Sequence, residues 1–345
     1  MKRAVVIGAT GQIGRPAVAA LARDGWQVTA ASRGGGRDTG WPDGVRPVRL
    51  DREDDTALAA VVGDGCELVV DVVAHGARHA RQLTDLSGRI GSAVVISTVS
   101  VYEDGKGRGF DTMDRPDGFP EYPVPIREDQ PTVAPGDTSY STGKAALERD
   151  LLAAGDRLPV TLLRAGAVHG PYSPLPRELY FVKRNLDGRR RRVLAFGGES
   201  RFHGTQVRNI AELVRLAAAR PGSRVLNAVD PDAPTVAAIG AAVDAVMGVR
   251  TETVSFDGPP PGPAVGKSPW SAERPVVCDM SAAERELGYR PVVSSYAEGL
   301  PETVEWLAGR LAGGRDWREA FPLLAGVYPD LFDYAAEDAW LAARA

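Results

Sequence analysis

Four apolar residues, Ala4-Val5-Val6-Ile7, run straight into Gly8-Ala9-Thr10-Gly11-Gln12-Ile13-Gly14, and a stretch of helical period begins at Gly14. A strand that ends on three glycines three residues apart and turns at once into a helix is the entry to a βαβ unit, and such units build parallel sheets. Placed there, Gly8 permits a tight turn, Gly11 lets the backbone approach a phosphate, and Gly14 allows close helix–strand packing. The helix N-terminus adds N–H donors and the positive end of its dipole. The expected phosphate-facing set is therefore Gly8, Thr10, Gly11, Gln12, Ile13 and Gly14.

The same alternation continues for some 170 residues. Strands are expected at Ala4 to Ile7, Gln27 to Ala31, Arg46 to Leu50, Leu68 to Val73, Ala93 to Ser97 and Val160 to Arg164. Helices are expected at Gly14 to Asp24, Asp55 to Val62, Ala77 to Gly88 and Ser141 to Ala154. Strands apolar on consecutive residues are buried on both faces, so the fold class is α/β, a Rossmann-type doubly wound parallel sheet. The pattern predicts this domain over 1–172, rejoined by about 203–230 through the helical stretch Val207 to Ala219. A smaller C-terminal substrate lobe is predicted over 173–315, with helices at Thr235 to Met247, Ser281 to Leu287 and Leu300 to Leu311. Residues 316–345 form an appended helical tail whose aromatics serve either to pack on the body or to join two copies as a homodimer.

Composition narrows the partners. Among 345 residues, 41 Lys and Arg face 45 Asp and Glu, a formal charge of −4, which argues against nucleic acid and anionic membrane. Charged residues interrupt every hydrophobic stretch, so no membrane span is expected. Cys66 and Cys278 make no disulfide framework, the four histidines lack zinc-site spacing, and no signal peptide is visible, so a reduced cytoplasmic setting and no metal are expected. The run Arg189 to Arg192 reads as a solvated loop, with phosphate binding as the alternative.

Tyr140-Ser141-Thr142-Gly143-Lys144 places a tyrosine and a lysine four apart, on one helix face. A tyrosine exchanging protons near neutral pH must be acidified from about 10, which costs about 4 kcal/mol. One cation about 4 Å away supplies that much at an effective dielectric of 20, and Lys144 is the expected source. The Gly-x-x-Gly-x-x-Gly loop with this Tyr-x-x-x-Lys pair resembles the short-chain dehydrogenase/reductase superfamily. The strand end Ser97-Thr98-Val99-Ser100-Val101-Tyr102 and the segment Leu163-Arg164-Ala165-Gly166-Ala167-Val168-His169-Gly170-Pro171 are similar to the extended members, the NAD-dependent epimerase/dehydratase family. The resemblance implies a catalytic set of Thr98, Tyr140 and Lys144, with Ser97 and Ser100 as weaker hydroxyl candidates. It also implies cofactor contacts from Asp51, from Val73, Ala74 and His75, from Ser97, Tyr140 and Lys144, and from Gly166 and Val168. The second strand ends on Ser32-Arg33 rather than an acidic residue. Arg33 pairs with a ribose 2′-phosphate that a carboxylate would repel, so NADP is favoured over NAD.

The resemblance implies hydride transfer to or from a small-molecule substrate. Val99-Ser100 stands where dehydratases carry an Asp-Glu pair, which disfavours elimination. Ala165, Ala167 and Asn209 depart from the pattern of nucleotide-sugar enzymes, and Arg201 lies six residues before Val207 instead of five. A reductase with Tyr140 as general acid/base is favoured, with a nucleotide-sugar epimerase holding NAD tightly as the alternative. A non-catalytic, cofactor-binding regulatory protein is the reading of another class. His75, His169 and His203 each either touch substrate or serve structure. The polar segment Glu103 to Asp137 is expected to be a lid.

Overall fold

The computed structural model describes residues 2–344, and the chain divides into two units. The first unit comprises the chain up to Gly166 together with Val207–Val229 and Cys278–Val292. Its sheet contains β1 (Arg3–Ile7), β2 (Gln27–Ser32), β3 (Arg46–Arg49), β4 (Leu68–Asp71), β5 (Ala93–Thr98), β6 (Val160–Ala165) and a seventh strand, Arg224–Ala228. Across the sheet the order is Arg224–Ala228, β6, β5, β4, β1, β2, β3, and every neighbouring pair is parallel. This is the doubly wound sheet that the consecutive apolar strands require, because helices must cover both faces.

Four helices belong to the crossovers that position the site: α1 (Gly14–Arg23), α2 (Asp55–Val62), α3 (Ala77–Asp85) and α4 (Tyr140–Leu152). Leu83 of α3 and Leu147 and Leu151 of α4 join Val5, Val69, Val95 and Leu162 of the strands in one buried cluster. Chain order reverses beside β1, whose Ile7 lies in register with Ala31 on one side and Asp71 on the other. Ligands of open α/β sheets bind at the carboxyl ends of strands at such a reversal.

The second unit, Ala167–Gln206, Asp230–Val277 and the chain from Val293 onward, has two short parallel strand pairs. Its helices Leu179–Leu186, Val236–Met247 and Leu300–Leu311 enclose an aromatic core with Trp270, Tyr296, Trp317 and Phe321. The predicted boundary near 172 lies instead between Gly166 and Ala167, and Cys278–Val292 joins the first unit without a sequence signal. Hydrogen bonds to the Asp279 backbone explain that return: its N–H donates to Ile126 O at 2.8 Å, and the Asn227 side-chain Nδ2 donates to Asp279 O at 3.1 Å. The tail from 316 is no appendage. Glu337 of its last helix, Tyr334–Ala342, is fully buried and pairs with Arg184 at 3.1 Å, within the second unit.

The Arg189 to Arg192 run is corrected as well. Arg189 pairs with Asp338, Arg191 with Glu252 at 2.9 Å and the buried Arg192 with Asp244 at 2.9 Å, so three of the four charges are neutralised within the unit. The helix Leu179–Leu186 is absent from the sequence candidates; it buries the four consecutive residues Leu179 to Val182 and also Arg184 and Asn185.

Candidate active site

The glycine loop closes on itself. Both Gly8 and Ala9 donate their N–H groups to Ala31 O, at 2.9 and 3.0 Å, and Gly11 N–H donates to Gly8 O at 3.0 Å. Gly8 has a φ of +84°, and a Cβ there would lie 2.6 Å from Val72 Cγ2. A Cβ on Gly14 would come within 2.2 Å of Gly8 O, so the close packing at Gly14 is against the loop's own backbone. Gln12 and Ile13 complete the turn, with Ile13, whose side chain makes no cap hydrogen bond, as the N-cap of α1. By contrast, Asp54 caps α2 and Ser139 caps α4.

A cleft of about 470 Å³ opens beside the loop, walled by Gly8, Thr10 and Gly11, by Ser32 and Arg33, and by Asp51 and Val73. Ser32 is buried and its Oγ accepts the Gly35 N–H at 3.2 Å. Arg33 is exposed, and among the described residues it has no ion-pair partner. Asp51 Oδ1 accepts the Glu53 N–H at 3.1 Å.

Two residues absent from the sequence candidates shape the next wall. The buried Asp71 carboxylate ends β4; its Oδ1 accepts the N–H groups of Val73 and Ala74, at 3.0 and 2.9 Å, and its Oδ2 accepts Arg52 Nε at 2.7 Å. Asp71 thereby fixes the turn that carries Val73, Ala74 and His75. The available signal is a carboxylate closing the otherwise apolar run Leu68-Val69-Val70, where its burial demands partners.

Lys144 is buried on α4, and its Nζ donates to Ala74 O and to Ile96 O, both at 2.7 Å. Burial lowers its pKa to about 8, against the opposing pull of Asp71 and Glu148. Tyr140, one turn earlier, is 52% exposed as a residue, yet desolvation of its hydroxyl raises its pKa, with the neighbouring Thr98 acting the other way. Lys144, the expected source of positive charge beside Tyr140, spends two Nζ donors on backbone carbonyls and lies 5.7 Å from the ring centre. Thr98 ends β5, where its Oγ1 accepts the Ser100 N–H and donates to Ser100 Oγ, both at 3.1 Å.

Ser97 faces away from this group. Its Oγ donates to Glu148 Oε1 at 2.5 Å, and Glu148 holds Arg164 at 2.7 Å, with the guanidinium over the Tyr102 ring at 4.8 Å. Gly166 closes the first unit, whereas Val168 lies on the Ala167–His169 strand of the second. His169 is buried there against Asp230 at 2.5 Å, and His203 Nε2 meets Asp230 O at 2.9 Å, so both have structural partners.

The segment Glu103 to Asp137, expected to be a lid, is hydrogen-bonded at several points within itself and to the start of α4. Buried Asp104 accepts four hydrogen bonds, from the N–H groups of Lys106, Arg108 and Glu121 and from Arg108 Nε. Tyr122 donates to Tyr102 O at 2.8 Å, and Asp111 accepts from the hydroxyls of Ser139 and Ser141, at 2.6 and 3.0 Å, on either side of Tyr140.

A parallel sheet with a glycine cradle at its reversal, and a Thr/Tyr/Lys group beside it, defines a Rossmann-type α/β protein of the short-chain dehydrogenase kind. The model of the NAD dependent epimerase/dehydratase family matches residues 4–228, and the chain belongs to that family. Among solved structures it resembles dTDP-glucose 4,6-dehydratase from Bacillus anthracis in complex with NAD, at 17% identity and a TM-score of 0.68, over 93% of this chain and 100% of that one. UDP-N-acetylglucosamine 4-epimerase from Methanobrevibacter ruminantium M1, in complex with UDP-N-acetylmuramic acid, matches at 20% identity and a TM-score of 0.68, over 90% and 99% of the two chains. UDP-glucose 4-epimerase from Thermotoga maritima with UDP-glucose gives the same four values. At these identities the likeness is one of fold. No curated protein sequence matches the chain significantly. Among the described residues no group of His, Cys, Asp and Glu is placed to hold a metal ion, and no helix is long and apolar enough to cross a membrane.

Proposed function

We propose that the protein is an NAD(P)-dependent reductase, in which Tyr140 exchanges a proton with the carbonyl or carbinol oxygen of a small-molecule substrate. The carrying observation is the placement of Tyr140 on the first turn of α4, beside Thr98 and one helical turn from the buried Lys144; its pKa is raised by burial, so the phenol carries its proton at neutral pH. A protonated phenol is what a carbonyl oxygen needs as it gains negative charge. Thr98, with its Oγ1 anchored on Ser100 N–H, holds that oxygen, and Lys144 compensates the phenolate left behind.

The cleft fits a dinucleotide. Gly8, Thr10 and Gly11 line the cleft at the start of α1, which sets the loop backbone and the helix N-terminus where a pyrophosphate would sit. When bound, the nicotinamide ring supplies or accepts the hydride. Thr10, Gly11, Gln12 and Ile13 would face the pyrophosphate, Asp51 the adenine, Val73, Ala74 and His75 the nicotinamide-side ribose, and Gly166 the carboxamide. Arg33, exposed on the cleft wall without a carboxylate partner, favours a 2′-phosphate and hence NADP. Ser97, committed to Glu148, is left as a support of α4.

Cofactor content distinguishes this reading from the nearest alternative. Purified protein is expected to bind NADPH more tightly than NADH. Co-purified NAD with no preference for added NADPH would identify an epimerase instead. Arg33→Asp is expected to weaken NADPH binding about 10- to 100-fold, the loss of a charge-assisted contact of about 1.5–3 kcal/mol, while NADH binding changes little. Tyr140→Phe is expected to remove turnover and leave NADPH affinity within a few-fold. Full turnover by this variant would exclude Tyr140 as the proton donor.

A further inference from the structure

The imidazole of His75 lies stacked on the Tyr140 ring, with centroids 5.4 Å apart and planes 28° from parallel. The two residues come from different elements, His75 from the turn after β4 and Tyr140 from the first turn of α4. Gly143 leaves room for the imidazole: a Cβ there would stand 3.3 Å from His75 Nε2. His75 is held in turn by His79 on α3, whose Nδ1 accepts the His75 N–H at 2.8 Å. In the neutral ring the proton then belongs on Nε2, which donates to Glu53 Oε1 at 2.7 Å. Both nitrogens of His79 are thus used, and the ring clamps the start of α3 to the wall of the cleft that Glu53 lines.

We propose that His75, clamped by His79, is a positioning residue for Tyr140: its ring covers one face of the phenol and fixes the direction in which the hydroxyl points. The inference rests on the reading of Tyr140 as the proton donor. A tyrosine that is half open to solvent has no rotational restraint from packing alone, and a catalytic hydroxyl must be held within a fraction of an ångström. Thr98 stands beside the hydroxyl at the end of β5, and Asp111 fixes the flanking serines. The His75 ring adds the contact across the ring face. The charged and titratable groups around Tyr140 are Lys144 on its own helix, His75 across the ring, and Asp111 beside the helix start. Burial, and then the nearby Lys144 charge, lower the His75 pKa, so the covering ring is neutral at pH 7.

The test reads Tyr140 directly, without a substrate. In 13C-tyrosine NMR, the Tyr140 Cζ resonance is assigned by its loss in Tyr140→Phe and followed against pH. His75→Ala is expected to shift this resonance and to lower its titration midpoint toward the value of about 10 of an open tyrosine, because one face is opened to water. His75→Phe restores the plane without the nitrogens and is expected to return both to the wild-type values. His79→Ala, which frees the His75 backbone, should resemble His75→Ala. His79→Asn, which keeps an acceptor near the Nδ1 position, should lie closer to wild type. An unchanged Tyr140 resonance and midpoint in His75→Ala, or a His75→Phe protein that behaves like His75→Ala, overturns the proposal. The readout is independent of turnover, so an active Tyr140→Phe protein would remove the catalytic reading while leaving the positioning result to stand or fall separately.

Discussion

At the scale of single residues, the cradle is decided by what a methyl group would strike. Gly14→Ala would set a Cβ against Gly8 O, a backbone atom that cannot rotate away, whereas a methyl at Gly11 would lie 3.2 Å from the same oxygen. Gly14→Ala is therefore expected to cost about 1–3 kcal/mol of stability, the range for imposed local strain, together with loss of dinucleotide binding. Gly11→Ala is expected to be the milder of the two, and a denaturant midpoint with a cofactor titration checks the pair. These glycines were legible from spacing alone, because the tight turn is a local requirement of the backbone. Asp71 and Arg52 were not, since their roles appear only when β4 and the loop after β3 are brought side by side. The protonation of Tyr140 was also hidden. The sequence shows a lysine one turn away but not the carbonyls of Ala74 and Ile96 that occupy its ammonium.

At the scale of elements, α4 carries more than the tyrosine and lysine. Its Glu148 accepts from Ser97 of β5 and from Arg164 of β6, with both members of the ion pair buried, so one carboxylate locks the helix to two central strands. Glu148→Leu leaves Arg164 as an uncompensated buried charge, a loss expected to cost about 3–5 kcal/mol. Urea unfolding of this variant measures it, and a cost below about 1 kcal/mol would show that water reaches Arg164. The helix was legible from Tyr-x-x-x-Lys and its apolar spacing. Its Ser139 cap is a local signal too, with Thr142 completing the capping box. The Asp111 carboxylate that holds Ser139 and Ser141 comes from 28 and 30 residues upstream, inside a segment whose Gly, Pro and Asp content reads as a mobile lid. Composition reports the turns of such a segment. It does not report that Asp104 and Tyr122 stitch those turns to the body.

At the scale of the molecule, the buried lysine leaves a signature in pH. The pKa of Lys144 falls to about 8 in the folded protein from an ordinary 10.5. Below about 8 the group is charged in both states and its burial counts fully against folding. Between about 8 and 10.5 the unfolded chain holds the proton and the folded one does not, so this group's contribution to stability rises with pH. The difference in unfolding free energy between wild type and Lys144→Met is therefore expected to move in favour of wild type across that window and to level off outside it. Measuring the difference cancels the other titrating groups, and a flat difference would show that Lys144 keeps its proton.

The sequence by itself determined the first six strands and four crossover helices of the first unit, the glycine loop, the spacing of Tyr140 and Lys144 on one helix, and the family. Each is written in near neighbours: apolar runs, three- and four-residue spacings, and a cap beside its helix. Tertiary structure alone decided that Cys278–Val292 returns to the first unit, that the tail completes the second, that Arg189, Arg191 and Arg192 are consumed by carboxylates, and that His75 meets Tyr140. Those outcomes depend on which distant groups must neutralise or hydrogen-bond each other once buried, and chain spacing carries no record of that.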